Sequence, residues 1–306
     1  MIITGKKFSK PAMSRVINGD TILESTPEAP EKIRLDHLLM RQYPEYNRSS
    51  LQTFIKSGFV SVDNKIIQKP NTKILPGAKL ILIVPATQKK YADPAIIYED
   101  SNVLVVNKPA GLLSVAKGEY CPERTLADYG LIVHRLDRDT SGVVILAKNP
   151  TTQAMLRKQF QNRKTHKTYF AIVEGQPKLP AALIDLPIAR SLKHPTTFIV
   201  DAAGKPSQTN YRQVAHHGKY SLLELKPISG RTHQLRVHLK YLNTPILGDR
   251  VYGHESSRLF LHAFSLEITI PHPTDPQADH QRRIFYAPLP PEFQTFFPDY
   301  TPPEVK

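Results

Sequence analysis

The stretch His134-Arg135-Leu136-Asp137-Arg138-Asp139-Thr140-Ser141-Gly142 runs directly into Val143-Val144-Ile145-Leu146-Ala147. The first nine residues crowd cations, carboxylates and hydroxyls into a loop that stops on a glycine. The next five are apolar and largely β-branched, and read as a buried strand. A polar loop feeding a core strand holds its side chains on a rigid base, which a catalytic loop requires. On these nine residues alone, an exposed salt-bridged turn is an equal reading.

Outward from this loop, β-branched runs recur between Pro and Gly turns: Ile96-Ile97-Tyr98, Val103-Leu104-Val105-Val106, Tyr169-Phe170-Ala171-Ile172-Val173 and Tyr220-Ser221-Leu222-Leu223-Glu224-Leu225. Helical spacing occurs around Thr151 to Asn162 and Thr232 to Leu242. Strand and helix do not alternate regularly, so the expectation for residues 95–300 is an α+β domain on a mixed, mainly antiparallel sheet rather than a doubly wound fold.

The front of the chain is different. Residues 1–30 show little periodicity and read as an extension. From Lys32, Ile33, Leu35, Leu38 and Leu39 recur at helical spacing until Pro44. Arg48 to Gly58 predicts a second helix, with Ser49 or Ser50 as cap and Gly58 at a left-handed end. Phe59 to Lys65 predicts a strand entering an Asp-Asn turn, and Lys79 to Val84 a closing strand. This makes a compact basic module over residues 31–86. The polar Thr87 to Pro94 reads as a linker.

Composition narrows the partner. The chain has 306 residues, 40% of them hydrophobic, enough for two packed domains. Lys and Arg number 41 against 27 Asp and Glu, a formal charge of +14 that favours a polyanion. No basic amphipathic helix with a broad apolar face stands out, so nucleic acid is preferred to a membrane surface. No run of 18 apolar residues and no signal-peptide core is present, and the single Cys121 excludes an internal disulfide. A cytoplasmic, monomeric protein is the expectation.

No phosphate loop, nucleophile elbow, dinucleotide fingerprint or metal-ligand spacing occurs, so the expected chemistry needs no cofactor. Without an elbow or an acid–histidine pattern, Thr140 and Ser141 read as backbone hydrogen-bonders. Three further islands resist explanation by packing. Asn107-Lys108-Pro109-Ala110-Gly111-Leu112-Leu113-Ser114 predicts a strand end with an exposed lysine. Lys167-Thr168-Tyr169 puts a lysine and a tyrosine on one strand face. Gly230-Arg231-Thr232-His233-Gln234-Leu235-Arg236-Val237-His238 opens a helix, where Arg231 and the helix amino-terminus are placed to hold an anion.

In this order the islands resemble the RluA-type pseudouridine synthase family. His134-Arg135-Leu136-Asp137 with Thr140-Ser141-Gly142 carries most of the likeness. Pro245-Ile246-Leu247-Gly248-Asp249, Tyr252-Gly253, Arg258 to Ala263 and Ala287-Pro288-Leu289-Pro290 extend it to roughly residues 94–293. The front module resembles the S-four-type RNA-binding domain, through Arg34-Leu35-Asp36, Arg48-Ser49, Lys56-Ser57-Gly58 and Val60 to Asp63. The resemblance implies isomerisation of uridine to pseudouridine in RNA, with large-subunit ribosomal RNA the expected substrate and transfer RNA the alternative. It implies that Asp137 is the catalytic carboxylate, that Arg231 pairs with it, and that Tyr169 packs on the target base and takes the carbon-5 proton. Arg135 would fill the space left by the flipped base. Lys167, Arg236, Arg34, Arg48 and Lys56 would contact RNA. Asp139 reads as a surface turn residue and His134 as structural. The approach from Val115 to Gly130 is shorter than in many relatives, and residues 1–30 match nothing in the family.

Overall fold

The computed structural model describes residues 14–17, 20–23, 31–44, 46, 48–83, 93–116, 124–275 and 278–303. Most of the expected extension, most of the linker and the middle of Val115–Gly130 therefore lie outside the described residues. The chain divides into two compact units, within Met1–Pro85 and within Ala86–Lys306.

The first unit begins with an antiparallel pair, β1 (Ser14–Ile17) and β2 (Asp20–Leu23), where the sequence gives no periodicity. Strand β3 (Ile33–Arg34) leads into α1 (Leu35–Gln42), so Ile33 pairs in a strand instead of opening the helix. Helix α2 (Arg48–Lys56) follows and ends before Gly58, whose φ is +80°. Strands β4 (Val60–Val62) and β5 (Lys65–Ile66) flank Asp63 and Asn64. Both turn residues have positive φ, as the tight hairpin turn demands. Strand β6 (Lys73–Ile74) pairs with β3, and β7 (Leu80–Leu82) with β4. Leu35, Leu39, Leu51, Phe54, Ile55 and Val60 form this unit's own core. Beside that core, the buried Asp36 carboxylate accepts hydrogen bonds from Arg34, Arg48 and Gln52. Those bonds hold the Asp36 carboxyl far below the ordinary carboxylate range, against the opposing effect of burial. One buried anion thus fixes two arginines at the start of α1 and α2.

The second unit is built on one sheet. Its elements in order are β8 (Ala95–Glu99), β9 (Val103–Lys108), a 3-10 turn at Leu126–Asp128, β10 (Leu131–Ile132), β11 (Ser141–Ala147), α3 (Pro150–Gln161) and β12 (His166–Glu174). Then come β13 (Ala181–Asp185), β14 (Ile188–Arg190), β15 (Phe198–Val200), β16 (Gln208–His217), β17 (Tyr220–Pro227), α4 (Gln234–Tyr241), β18 (Leu261–Ile270), β19 (Gln281–Tyr286) and α5 (Pro291–Phe296). Strand order is β13-β16-β17-β12-β18-β11-β9-β8, with β10 also on β11 and β19 also on β18. Every recorded pairing in this sheet is antiparallel except β11 with β18, which makes the fold the expected mixed, mainly antiparallel α+β type.

That parallel join explains Gly142. The residue has φ +120° opposite Ala263, and a Cβ there would lie 2.2 Å from the Ala263 carbonyl oxygen. Only glycine admits this approach. Strand β11 is buried along its whole length, as its apolar run predicts.

Candidate active site

The loop between β10 and β11 carries Asp137, and backbone contacts fasten it to the preceding turn. Lys108, at the end of β9, is completely buried, which corrects the exposed lysine expected from sequence. Its Nζ donates to the carbonyls of Leu112 (2.8 Å), Arg138 (2.8 Å) and Pro109 (3.0 Å). Burial pushes its pKa down to about 7, the nearby Asp139 and Asp137 carboxylates opposing the shift. The Ser114 hydroxyl donates to the Leu136 carbonyl and accepts from the Leu136 N–H, at 2.8 and 3.1 Å. The Gly111 N–H donates to the Arg138 carbonyl at 2.8 Å. The first island is therefore the bracket for the second.

On the other side, His134 Nε2 accepts the Ile145 N–H and its ring stacks on Phe160 with centroids 4.4 Å apart. Burial, with the Lys167 charge, pushes its pKa down to about 3, so it is a neutral packing residue. Asp139 faces solvent and pairs with Arg250 at 3.0 Å.

Asp137 lies in a cavity of about 100 Å³ that Arg135, Lys167, Tyr169, Arg231, His233 and Arg236 also line. Its Oδ2 accepts from Arg236 Nη1 at 3.2 Å, and His233 Nε2 stands 3.8 Å away. This corrects the pairing implied by the resemblance. Arg231 lines the cavity, yet its side chain is exposed and its Nε reaches only the Pro206 carbonyl, at 3.4 Å. The reason is local. His233 has a left-handed backbone (φ 56°) and α4 starts at Gln234, so Arg231 precedes the kink while Arg236 rides inside the helix.

Arg236, expected to contact RNA, is itself buried and lines the cavity rather than an outer surface. Its Nε and Nη2 donate to the two oxygens of Asp249, at 2.7 and 2.8 Å. Its guanidinium stands 5.1 Å from the Tyr252 ring centroid. The buried Asp249 also accepts the Val251 and Tyr252 N–H groups. A bidentate clamp of this kind fixes the guanidinium plane and leaves Nη1 aimed at Asp137. Burial opposes the charge, but Asp249 and Asp137 together hold Arg236 firmly protonated.

His233 completes the wall. Its Nδ1 lies 2.8 Å from the Tyr252 hydroxyl, which also accepts the Phe198 N–H at 2.9 Å. With that hydroxyl donating to Nδ1, the neutral ring keeps its remaining N–H on Nε2, toward Asp137. Sequence reasoning quoted His233, Asp249 and Tyr252 without giving them roles. The available signal was Arg236 between Leu235, Val237 and Leu239, a cation among core residues that needs an acid partner.

Tyr169 sits beside a bulge in β18, where Thr168 pairs with Ser265 and Tyr169 with Ala263, so that Phe264 is the extra residue. Two apart on one strand, Lys167 and Tyr169 share a face and both line the cavity. Burial and the Asp137 charge push the phenol up, so Tyr169 is a neutral hydroxyl at ordinary pH. Burial lowers Lys167 to about 8, and its Nζ donates to the Ser229 carbonyl at 3.3 Å. Arg135 is exposed at the rim with no ion-pair partner among the described residues. Ser141 lies 2.9 Å from His262 Nδ1, a pair that superficially suits a hydrolase. Both are buried, and His262 turns its Nε2 to the Ala287 carbonyl, so the pair braces the sheet. Among the described residues no cluster of His, Cys, Asp or Glu could hold a metal.

The array is a carboxylate in a small cleft, held by a clamped arginine and flanked by an aromatic ring and free cations. Known proteins resemble this chain at family level. The model of the RNA pseudouridylate synthase family matches residues 102–241, and that of the S4 domain matches residues 33–80. An uncharacterized RNA pseudouridine synthase of Aquifex aeolicus is 38% identical over 267 residues, covering 80% of this chain and 84% of its own. A ribosomal large subunit pseudouridine synthase D of Borreliella burgdorferi is 38% identical over 270 residues, covering 78% and 82%. The solved structure of human RNA pseudouridylate synthase domain containing 1 superposes with a TM-score of 0.52 at 27% identity, over 69% of this chain and 97% of that one. Fold, motif order and these relatives agree that the chain belongs to the RNA pseudouridine synthases of the RluA type and carries an S4 domain in its amino-terminal part.

Proposed function

We propose that the protein isomerises specific uridines of large-subunit ribosomal RNA to pseudouridine, with Asp137 as the catalytic carboxylate. The observation that carries this is the array in which Asp137 and Arg236 line the cavity and Asp249 clamps Arg236. The substrate class follows relatives named ribosomal large subunit pseudouridine synthase D, in Borreliella burgdorferi and Haemophilus influenzae. In the reaction the bond from ribose carbon 1 to base nitrogen 1 breaks and a bond to carbon 5 forms. Carbon 5 loses its proton and nitrogen 1 ends protonated, so no atom is gained or lost.

Asp137 attacks carbon 6 of the base or carbon 1 of the ribose, and Arg236 keeps it ionised for that attack. Tyr169 packs on the base as a neutral phenol. Arg135, free at the rim, fills the stack when the uridine flips out, a step that costs about a few kcal/mol. Arg231 and Lys167 meet phosphates at the cavity mouth. Residues 31–86 serve as the RNA-holding module through Arg34, Arg48 and Lys56, with 1–30 an extension, 87–94 a linker and 95–300 the catalytic domain. The protein acts in the cytoplasm as a monomer without a cofactor.

The test is tritium release from RNA labelled at uracil carbon 5. Asp137→Asn and Asp137→Ala are expected to abolish release while RNA affinity persists. Turnover by purified Asp137→Ala overturns the assignment. An absence of release by the unaltered protein would favour a non-catalytic RNA-binding role.

A further inference from the structure

A second, larger recess of about 530 Å³ adjoins the cavity, and Lys167 lines both. Its floor is a row across the sheet. Asn210 of β16 pairs with Lys226 of β17, Thr168 of β12 with Ser265 of β18, and Ser265 with Tyr286 of β19. Residues directly opposite in antiparallel strands share a face, so these side chains line one surface. Ile228 and Ile284 line the same recess and are exposed, at 38% and 50%.

The chemistry of the row is specific. The side chains of Thr168, Asn210 and Ser265 have no hydrogen-bond partner among the described residues, nor does the Tyr286 hydroxyl. The Tyr286 ring is held edge-on against Phe264, 5.7 Å between centroids. Arg163, at the margin, has no ion-pair partner among the described residues, and Lys226 reaches Glu224 at 2.5 Å. The carboxylate in the recess, Glu267, is neutralised by Arg282 at 2.8 Å and approached by His166 at 3.0 Å. Uncommitted donors and acceptors, a ring, two apolar faces and a cationic margin match a nucleobase with its phosphate.

We propose that this recess binds a second unpaired nucleotide of the RNA, a near neighbour of the target uridine along the strand. Lys167 stands at the junction of the two sites. The base lies against Tyr286, Ile228 and Ile284, its edge meets Asn210, Thr168 and Ser265, and its phosphate meets Arg163 and Lys226. Target choice then depends on a splayed neighbour as well as on the uridine. This rests on the proposed pseudouridine activity.

The experiment pairs two surface variants with two substrates. Asn210→Ala removes an exposed amide, and Arg163→Asn removes a charge while tolerating the left-handed backbone at that position (φ 55°). Each is assayed by tritium release on a stem-loop RNA with intact neighbours and on the same RNA made abasic at one neighbouring position in turn. Contacts of this kind are worth about tenfold in affinity, so each variant should raise KM about tenfold on intact RNA with kcat unchanged. At one neighbouring position the abasic RNA should raise KM for the unaltered protein and erase the difference from Asn210→Ala, whereas Arg163→Asn, whose contact is to the retained phosphate, should keep its loss. An equal loss by Asn210→Ala on intact RNA and on every abasic RNA, no loss by Arg163→Asn on intact RNA, or no response of the unaltered protein to any abasic position, overturns the second site. Release from intact RNA by the unaltered protein checks the parent reading separately.

Discussion

At the scale of single residues, the two arginines of the 230–236 segment make separable predictions. Arg236→Ala leaves the buried Asp249 without its cation, a change that typically costs about 3–5 kcal/mol. Both stability, by denaturant midpoint, and turnover should collapse together. Arg231→Ala touches an exposed side chain and should leave the midpoint within about 0.5 kcal/mol while weakening RNA binding. A loss of kcat with unchanged affinity in Arg231→Ala would restore it as the partner of Asp137. The sequence made Asp137, Tyr169 and Arg135 legible because a carboxylate, a ring and a cation recur in a motif order. It could not separate Arg231 from Arg236, since what divides them is one left-handed residue, His233. Lys108 escaped for a similar reason. A lysine after a strand ordinarily faces water, and only the convergence of three carbonyls shows that this one does not.

At the scale of elements, the loop before β11 depends on its bracket. Ser114→Ala removes the acceptor of the buried Leu136 N–H and should destabilise the protein by about 1–3 kcal/mol. It should also lower kcat more than affinity, because the loosened residue adjoins Asp137. A variant with unaltered kcat would show that the loop holds its shape without Ser114. Gly142→Ala drives a Cβ into the Ala263 carbonyl and should give no folded protein, read as loss of a cooperative thermal transition. Long β-branched runs revealed their strands directly. The short pairs β10, β14 and β15, and the β1–β2 hairpin, have too few residues for a period to register.

At the scale of the whole molecule, stability carries a pH signature. His134 and His262 are held neutral by burial, with pKa values pushed from 6.5 to about 3 and about 4. Between pH 6.5 and about 4 the unfolded chain binds protons at both sites and the folded chain does not. Stability should therefore fall as pH drops through that window, by on the order of 2 kcal/mol per histidine near pH 4.5. Denaturant midpoints measured from pH 7 to 4.5 check this. His262→Gln should flatten the slope, and a midpoint independent of pH in the unaltered protein would refute the burial argument. Removing residues 1–86 should reduce RNA affinity and its salt slope while turnover persists at saturating RNA. An unchanged salt slope would deny the front unit its role.

The anchorage of the Asp137 loop has one more consequence. Lys108, Ser114 and Gly111 grip the loop by the carbonyls and the N–H of its main chain. Main-chain groups are the same whatever residue supplies them. The loop is thus a mounting whose fittings can be exchanged: positions such as Asp139 are open to selection or redesign, while the carboxylate at 137 keeps its place beside Arg236.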